Sequence, residues 1–216
     1  MFKIGLLESN LEYKKFFNNI VYYPRTKSTN SDLWALYQKS PKKHLIISDN
    51  QTAGRGRGLN QWVSTPNKSL TCSFVLSQIF PLEKFNFHSL ILPISIVVGV
   101  KKHLSLSLQI KWPNDIVYKN HKVGGILIET KKYSKKYILN IGIGMNVNEL
   151  ANDLCENINK KAISLRMILG GKIQRELLLA SILNELCDNV HRYTPPQIIL
   201  EWQKHCNHIN HSVFFK

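Results

Sequence analysis

The chain has 216 residues and a mass of 24.9 kDa, long enough for one domain, or one domain with a small appendage, to bury a core without disulfide or metal staples. Hydrophobic residues make up 44% and charged residues 20%, a balance that argues against disorder, collagen and coiled coil. Lys and Arg outnumber Asp and Glu by 29 to 14, a formal charge of +15, so an anionic partner (nucleic acid, nucleotide or acidic protein) stands against a plain codon bias toward Lys, Asn and Ile.

Taken in chain order, residues 9–20 read as a short amphipathic helix, and a second starts at a Ser28–Asn30 cap and runs to about Lys39. His44 to Ser48 is an apolar strand, Gln51 to Gly58 a Gly-rich basic loop, and Leu70 to Leu76 a strand again. After a turn at Pro81, residues 82–105 read as a mostly buried helix. Strands follow at Leu108–Trp112, Asp115–Tyr118, Val123–Thr130 and Lys136–Ile143, with a hairpin turn at Asn120-His121. Helical spacing resumes at Ala162–Leu169, stops at Gly170-Gly171, and recurs in Ile173, Leu177, Leu178, Ile182, Leu186 and Val190. Pro195-Pro196 breaks that helix, and a last one spans about Gln197 to Lys204. Helices around a mostly antiparallel set of strands make an α+β domain.

No apolar run reaches the roughly 18–20 residues that span a bilayer: Leu90 to Val100 is too short and holds Pro93. The start Met-Phe-Lys-Ile-Gly is no signal peptide, so a cytoplasmic protein without membrane contact is expected. Cys72, Cys155, Cys187 and Cys206 are scattered, with no C-x-x-C, and read as reduced core thiols. His205, His208 and His211 beside Cys206 miss zinc spacing, and no metal site is assigned.

Four segments carry candidate chemistry. In Gln51-Thr52-Ala53-Gly54-Arg55-Gly56-Arg57-Gly58, glycines let the backbone pass close to a ligand while two of the chain's six arginines offer planar donors to carboxylate or phosphate. A solvated loop or an RG-type nucleic-acid segment has the same composition. No Gly-Lys-Ser/Thr closes it, so it is not a Walker A loop. In Lys111-Trp112-Pro113-Asn114-Asp115 the proline bends the chain at a strand end, where Asn114 and Asp115 can face a pocket or merely make a turn. Lys122-Val123-Gly124-Gly125-Ile126-Leu127-Ile128-Glu129 and Ile141-Gly142-Ile143-Gly144-Met145-Asn146-Val147-Asn148 place glycines inside strands, which suggests close approach by a ligand or another strand.

In order and spacing, these segments with Ser28-Thr29-Asn30 and Trp62 resemble the biotin protein ligases over roughly residues 22–205. The resemblance implies a class II aminoacyl-tRNA synthetase/biotin synthetase-like fold, a mixed, mostly antiparallel sheet flanked by helices. It implies that biotin is activated by ATP with Mg²⁺ to biotinyl-5′-AMP and passed to a lysine of the biotin carboxyl carrier protein of acetyl-CoA carboxylase. Carried over residue by residue, Ser28, Thr29, Asn30, Gln51, Arg55, Gly56, Arg57, Lys122 and Gly125 would hold biotin. Arg55, Arg57, Trp62, Lys111, Asn114 and Asn146 would hold ATP, and Lys122, Arg57, Asp115 and Lys111 would carry the catalysis. Asp115 would orient or deprotonate the carrier lysine. A homodimer is possible in such a family, and DNA is not an expected partner.

The sequence departs from the family loop G-R-G-R-x-G-R-x-W at Leu59 and Asn60, where that pattern has Gly and Arg. Fewer than thirty residues precede Ser28, too few for the winged helix of the bifunctional repressor form. The catalytic domain is expected over 1–205, and Trp202 to Phe215 resembles only the opening strand of the SH3-like domain that family members carry, leaving 206–216 as its remnant. Three rival readings remain open: a lipoate or octanoate ligase or transferase of the same fold, a basic nucleic-acid-binding protein, and an inactive ligase remnant. Lipoate ligases lack both the G-R-G-R loop and the K-W-P-N-D run.

Overall fold

The computed structural model describes residues 1–17, 19–77, 85–133, 136–154 and 161–209. In chain order the elements are α1 (Ile4–Asn10), β1 (Asn19–Tyr23), α2 (Thr29–Lys39), β2 (His44–Ser48), β3 (Gly54–Arg55), β4 (Gln61–Trp62), β5 (Leu70–Ser77) and α3 (Phe85–Leu104). They continue with β6 (Gln109–Lys111), β7 (Asp115–Tyr118), β8 (His121–Tyr133), β9 (Lys136–Met145), a 3₁₀ turn at Ala151–Asp153, α4 (Leu165–Leu169), α5 (Arg175–Arg192) and α6 (Pro195–His205).

Seven strands form one sheet in the order β1-β2-β5-β9-β8-β7-β6. Only the β1–β2 pair is parallel, so the sheet is mixed and mostly antiparallel. Both faces of its centre are covered, which is why β2 is buried at all five positions and shows no alternation of apolar and polar residues. Period two sorts the side chains. Leu45, Ile47, Phe74, Ile141 and Ile143 face the main core with Ile94 and Val97 of α3 and Leu179 and Leu183 of α5. Ile46, Val75 and Ile138 face the other way, against Leu33, Trp34 and Tyr37 of α2. Gly99 of α3 lies against the backbone of Ile182, where a Cβ would stand 2.8 Å from the Ile182 Cα. That close approach locks α3 to α5.

Several elements differ from the expectation. The helix placed at 9–20 is instead α1, ending at Asn10; Leu11 and Phe17 are then buried anchors of an irregular segment, and Phe17 stacks edge-on against Phe74. Asn19–Tyr23 joins the sheet edge as β1. The hairpin turn is Lys119-Asn120, both at positive φ, with His121 already in β8. Ala162 bridges Lys122 and helix α4 starts at Leu165. Pro195 and Pro196 begin α6 rather than preceding it, because the first helical positions need no N–H; Thr194 and Gln197 cap each other there. Trp202 to His205 is therefore helical, and only after it does Cys206 bridge Ile110 beside β6. The segment 82–84, Cys155, His211 and the chain from 210 onward lie outside the described residues.

Pro93 does not interrupt α3. The buried contacts of Ile91, Leu92, Ile94, Ile96 and Val97 outweigh the roughly 3 kcal/mol that an interior proline costs. Phe87–Leu104 is consequently long and apolar enough, by length and composition, to cross a bilayer, but here it packs on α5 and the sheet. Cys72 and Cys187 are buried, and burial pushes both thiols up to about 12.

Glu149 is a buried carboxyl beside this core, 1% exposed. Ser69 donates its hydroxyl to Oε1, and Oε2 has no partner among the described residues. Burial pushes the carboxyl above its ordinary value of 4.5. The protonated form is therefore favoured in the fold, and the stability this gives is full below pH 4.5 and lost as pH rises through the raised value. Glu149→Gln cannot ionise, so its stability relative to the unmodified chain is expected to improve as pH rises above 4.5 and to level off once the folded carboxyl has ionised. Urea midpoints measured at each pH check this; a constant difference would show that Glu149 is solvated.

Candidate functional site

The register of β8 and β9 sets Gly125 opposite Gly144, Leu127 opposite Gly142 and Glu129 opposite Asn140, all on the face away from α3. Two of these glycines leave hollows in the sheet that other side chains fill. A Cβ on Gly142 would overlap the side-chain amide of Asn30, and one on Gly144 would press into the indole of Trp62. At Gly125 a Cβ would stand 3.5 Å from both Asp115 Oδ1 and Lys122 Nζ. The close approach that the sequence attributed to a ligand or another strand is thus made, at Gly142 and Gly144, by Asn30 and Trp62.

Above this face lies a cavity of about 750 Å³, within the roughly 300–1,000 Å³ of small-molecule sites. Every residue singled out from the sequence borders it: Ser28, Thr29, Asn30, Gln51, Arg55, Gly56, Arg57, Trp62, Lys111, Asn114, Asp115, Lys122, Gly125 and Asn146.

One wall is polar and buried. Ser28 stands at the N-cap of α2 without spending its hydroxyl on the helix, and Thr29 and Asn30 follow at 2% and 4% exposure. Thr29 donates its backbone N–H (2.8 Å) and hydroxyl (3.0 Å) to Gln51 Oε1. Ser73 Oγ lies 2.6 Å from Thr29 Oγ1 and donates to Asn30 Oδ1 at 2.5 Å. Asn140 fixes the same helix start by donating to the Asn30 carbonyl at 2.7 Å.

A second set of lining residues is cationic. Lys122 Nζ lies 2.6 Å from Asp115 Oδ1, both side chains partly exposed. The Lys122 backbone is pinned on both sides, donating to Lys161 O at 2.7 Å and accepting from Ile163 N at 2.9 Å. Lys111 lies opposite Asp115 across the β6–β7 pair. Arg55 pairs with Glu129 at 2.8 Å, whereas Arg57 and Lys111 carry no ion pair among the described residues. Arg55 and Arg57 sit on the β3–β4 hairpin, closed by Gly56 N donating to Asn60 O at 2.8 Å, with Gly58 at φ +64°. Trp62 at the end of that hairpin lies over Gly144, its indole N–H buried and without a partner among the described residues.

Asn114 has another task besides bordering the cavity. Its side-chain amide donates to Ile126 O at 3.0 Å and its backbone carbonyl accepts from Ile126 N at 2.9 Å, tying the turn after the cis Trp112–Pro113 bond to β8. Asn146 is buried, its backbone joined to Val123 and Leu165 at 2.8 and 3.1 Å. Sequence reasoning gave no role to Glu129, Lys161, Thr65 or Asp153. Lys161, Thr65 and Asp153 border the cavity, whereas Glu129 stands beside it as Arg55's partner. Glu129 was findable, since it falls two and four residues beyond Leu127 and Gly125 on one strand face. Lys161 comes from a loop and Asp153 from the short 3₁₀ turn, where periodicity gives no signal. At the chain's end His205 lies 3.3 Å from Glu201, and His208 packs edge-on against Trp202.

The comparisons with known proteins agree with this geometry. Residues 22–146 match the model of the biotin/lipoate A/B protein ligase family. The bifunctional ligase/repressor BirA of Bacillus subtilis is 31% identical over 192 residues, covering 85% of this chain and 58% of that protein, so the chain spans little more than half the length of that relative. The structure of the biotin protein ligase from Aquifex aeolicus in complex with biotin and ATP superposes with a TM-score of 0.66 at 29% identity, covering 81% of this chain and 71% of that one. The Leishmania major biotin protein ligase in complex with biotinyl-5-AMP shares the fold at a TM-score of 0.75 and 24% identity, over 92% and 85%. With the family match extending over more than half of its residues and the mixed α+β sheet shared with these ligases, the chain belongs to the biotin/lipoate A/B protein ligase family.

Proposed function

We propose that the chain is an ATP-dependent biotin protein ligase. The observation that carries the reading is one cavity bordered both by neutral polar residues (Ser28, Thr29, Asn30, Gln51) and by four cations (Arg55, Arg57, Lys111, Lys122). A neutral ring rich in donors and acceptors suits the first, and a carboxylate meeting a triphosphate suits the second. The biotin and ATP complex of the Aquifex relative supports the same pair of ligands.

The chemistry asks for both sets. A carboxylate does not acylate an amine unaided, because oxide leaves poorly. Attack of a biotin carboxylate oxygen on the α-phosphorus of ATP forms the mixed anhydride biotinyl-5′-AMP and expels pyrophosphate. The cations offset the repulsion between carboxylate and phosphates as they close. A carrier lysine then attacks the anhydride carbonyl, forming the amide and releasing AMP. Mg²⁺ would be held by the phosphate oxygens together with Asp153, the bordering carboxylate not assigned to the lysine, and would offset part of the phosphate charge.

The Lys122–Asp115 pair suggests an order of events. While the site is empty, Lys122 neutralises Asp115. An anionic ligand draws the ammonium toward itself, leaving Asp115 to accept a proton from, or orient, the incoming lysine. The carrier is proposed to be the biotin carboxyl carrier domain of acetyl-CoA carboxylase.

The test is the intact mass of an apo-carrier domain after incubation with the chain, ATP, Mg²⁺ and biotin. Addition of one biotinyl group is expected, and lipoate or octanoate in its place should add nothing. Labelling by lipoate alone would move the chain to the other branch of its family. An unmodified carrier with no detectable biotinyl-5′-AMP would overturn the reading.

A further inference from the structure

Glu129 stands where three elements meet. Its Oε2 takes three donors: the Asn30 amide at 3.3 Å and the Trp34 indole N–H at 3.1 Å, both from α2, and the Arg55 guanidinium at 2.8 Å from β3. The two donors from α2 are neutral, so they fix the carboxylate in place without cancelling its charge. The third is a cation of the basic loop. A second hollow of about 470 Å³ lies beside the hairpin, and Arg55, Gly56, Asn60, Gln61 and Leu127 border both it and the main cavity. Arg55 therefore stands in the partition between the two, held from Glu129.

The network continues inward. From Glu129 it passes through Asn30, Ser73 and Thr29 to Gln51, the residue that opens the loop. Gln51 and Arg55 thus hang on one chain of hydrogen bonds running across β8, α2 and β5. Half-exposed arginines ordinarily sample many rotamers, and a charge-assisted bond to a fixed carboxylate selects one of them. That bond uses one of the guanidinium's five N–H groups, leaving the others for a ligand anion.

We propose that Glu129 is a positioning residue: it holds the Arg55 guanidinium at the cavity wall, so that the cation is in place before the anionic ligand arrives. The identity of that ligand rests on the ligase reading; the grip of Glu129 on Arg55 does not.

Two measurements test it, on the full chain. In the empty protein, trypsin is expected to cut after Arg57 several-fold faster in Glu129→Gln and in Arg55→Ala, with the double variant no faster than Arg55→Ala alone. In the loaded protein, the dissociation constant of biotinyl-5′-AMP is expected to rise about tenfold in Glu129→Gln and about ten- to a hundredfold in Arg55→Ala, again with no further loss in the double variant. Such non-additivity shows that Glu129 acts through Arg55. Additive effects, or a loop in Glu129→Gln cleaved no faster than in the unmodified chain, would overturn the proposal. If Glu129→Gln fails to fold, Arg55→Ala breaks the same pair from its exposed side and the cleavage rate alone decides. Failure of the unmodified chain to bind biotinyl-5′-AMP, with cleavage still coupled, would sink the ligase reading and uphold the positioning role.

Discussion

Lys122→Ala is expected to slow biotinyl-5′-AMP formation by about a hundred- to a thousandfold, the loss seen when one preorganised charge-stabilising donor is removed. The structure separates this effect from misfolding. The Lys122 backbone is held by Lys161 and Ile163 through bonds that alanine keeps. Its side chain is 40% exposed, so loss of the pair with Asp115 changes stability little, as for other exposed ion pairs. Pyrophosphate release in single turnover, beside urea midpoints that stay within experimental error, is the measurement. A wild-type rate with folding intact would place the reacting carboxylate away from Lys122 and remove the main cation from the proposed chemistry. Lys122→Arg should restore only part of the rate, because the planar guanidinium keeps the charge but not the compact reach of an ammonium.

The residues that the sequence singled out come together in one cavity because the motifs lie on rigid, easily read elements. β2, β5, β7 and the start of α2 fall where periodicity and capping put them, within a residue. Several of the errors share one cause, which is tertiary context overriding a local signal. Leu11, Phe16 and Phe17 have helical spacing but pack on the core from an irregular segment. Pro93 survives inside α3 because its neighbours are buried. Gly142 and Gly144 carried a correct physical message, that something comes close, but a single strand cannot say what. Only the register that brings Asn30 and Trp62 over them shows which side chains come close. Arg55 is similar: its composition announced an anion site, while its partner Glu129 lies 74 residues away and left no mark beside it.

Arg175→Met is expected to cost about 3–5 kcal/mol of stability, because it would strand a buried carboxylate. Arg175 opens α5 at 7% side-chain exposure, with its NH2 2.7 Å from Asp49 Oδ1, itself at 4%. Its NH1 donates to Ser69 O at 2.8 Å, and the guanidinium lies over the Phe2 ring. Asp49 Oδ2 accepts from Phe2 N at 3.1 Å and from the Tyr22 hydroxyl at 2.6 Å. Burial and that bond push Tyr22 up to about 12. One ion pair therefore ties the N-terminus, β1, the end of β2 and the start of α5 together, two residues before Gln51 enters the cavity wall. Methionine matches the stem of arginine but offers Asp49 nothing, and domains of this size have only about 5–15 kcal/mol to lose. Removing both charges should be milder than removing one: Arg175→Met with Asp49→Asn keeps the acceptor for Phe2 and Tyr22 and leaves no buried charge. The double variant is therefore expected to recover a substantial part of the loss, as buried pairs do when replaced together. Urea unfolding of the three variants measures it. A single-variant loss below about 1 kcal/mol would mean that water reaches Asp49, and the anchoring of the loop's base by this pair would fall with it.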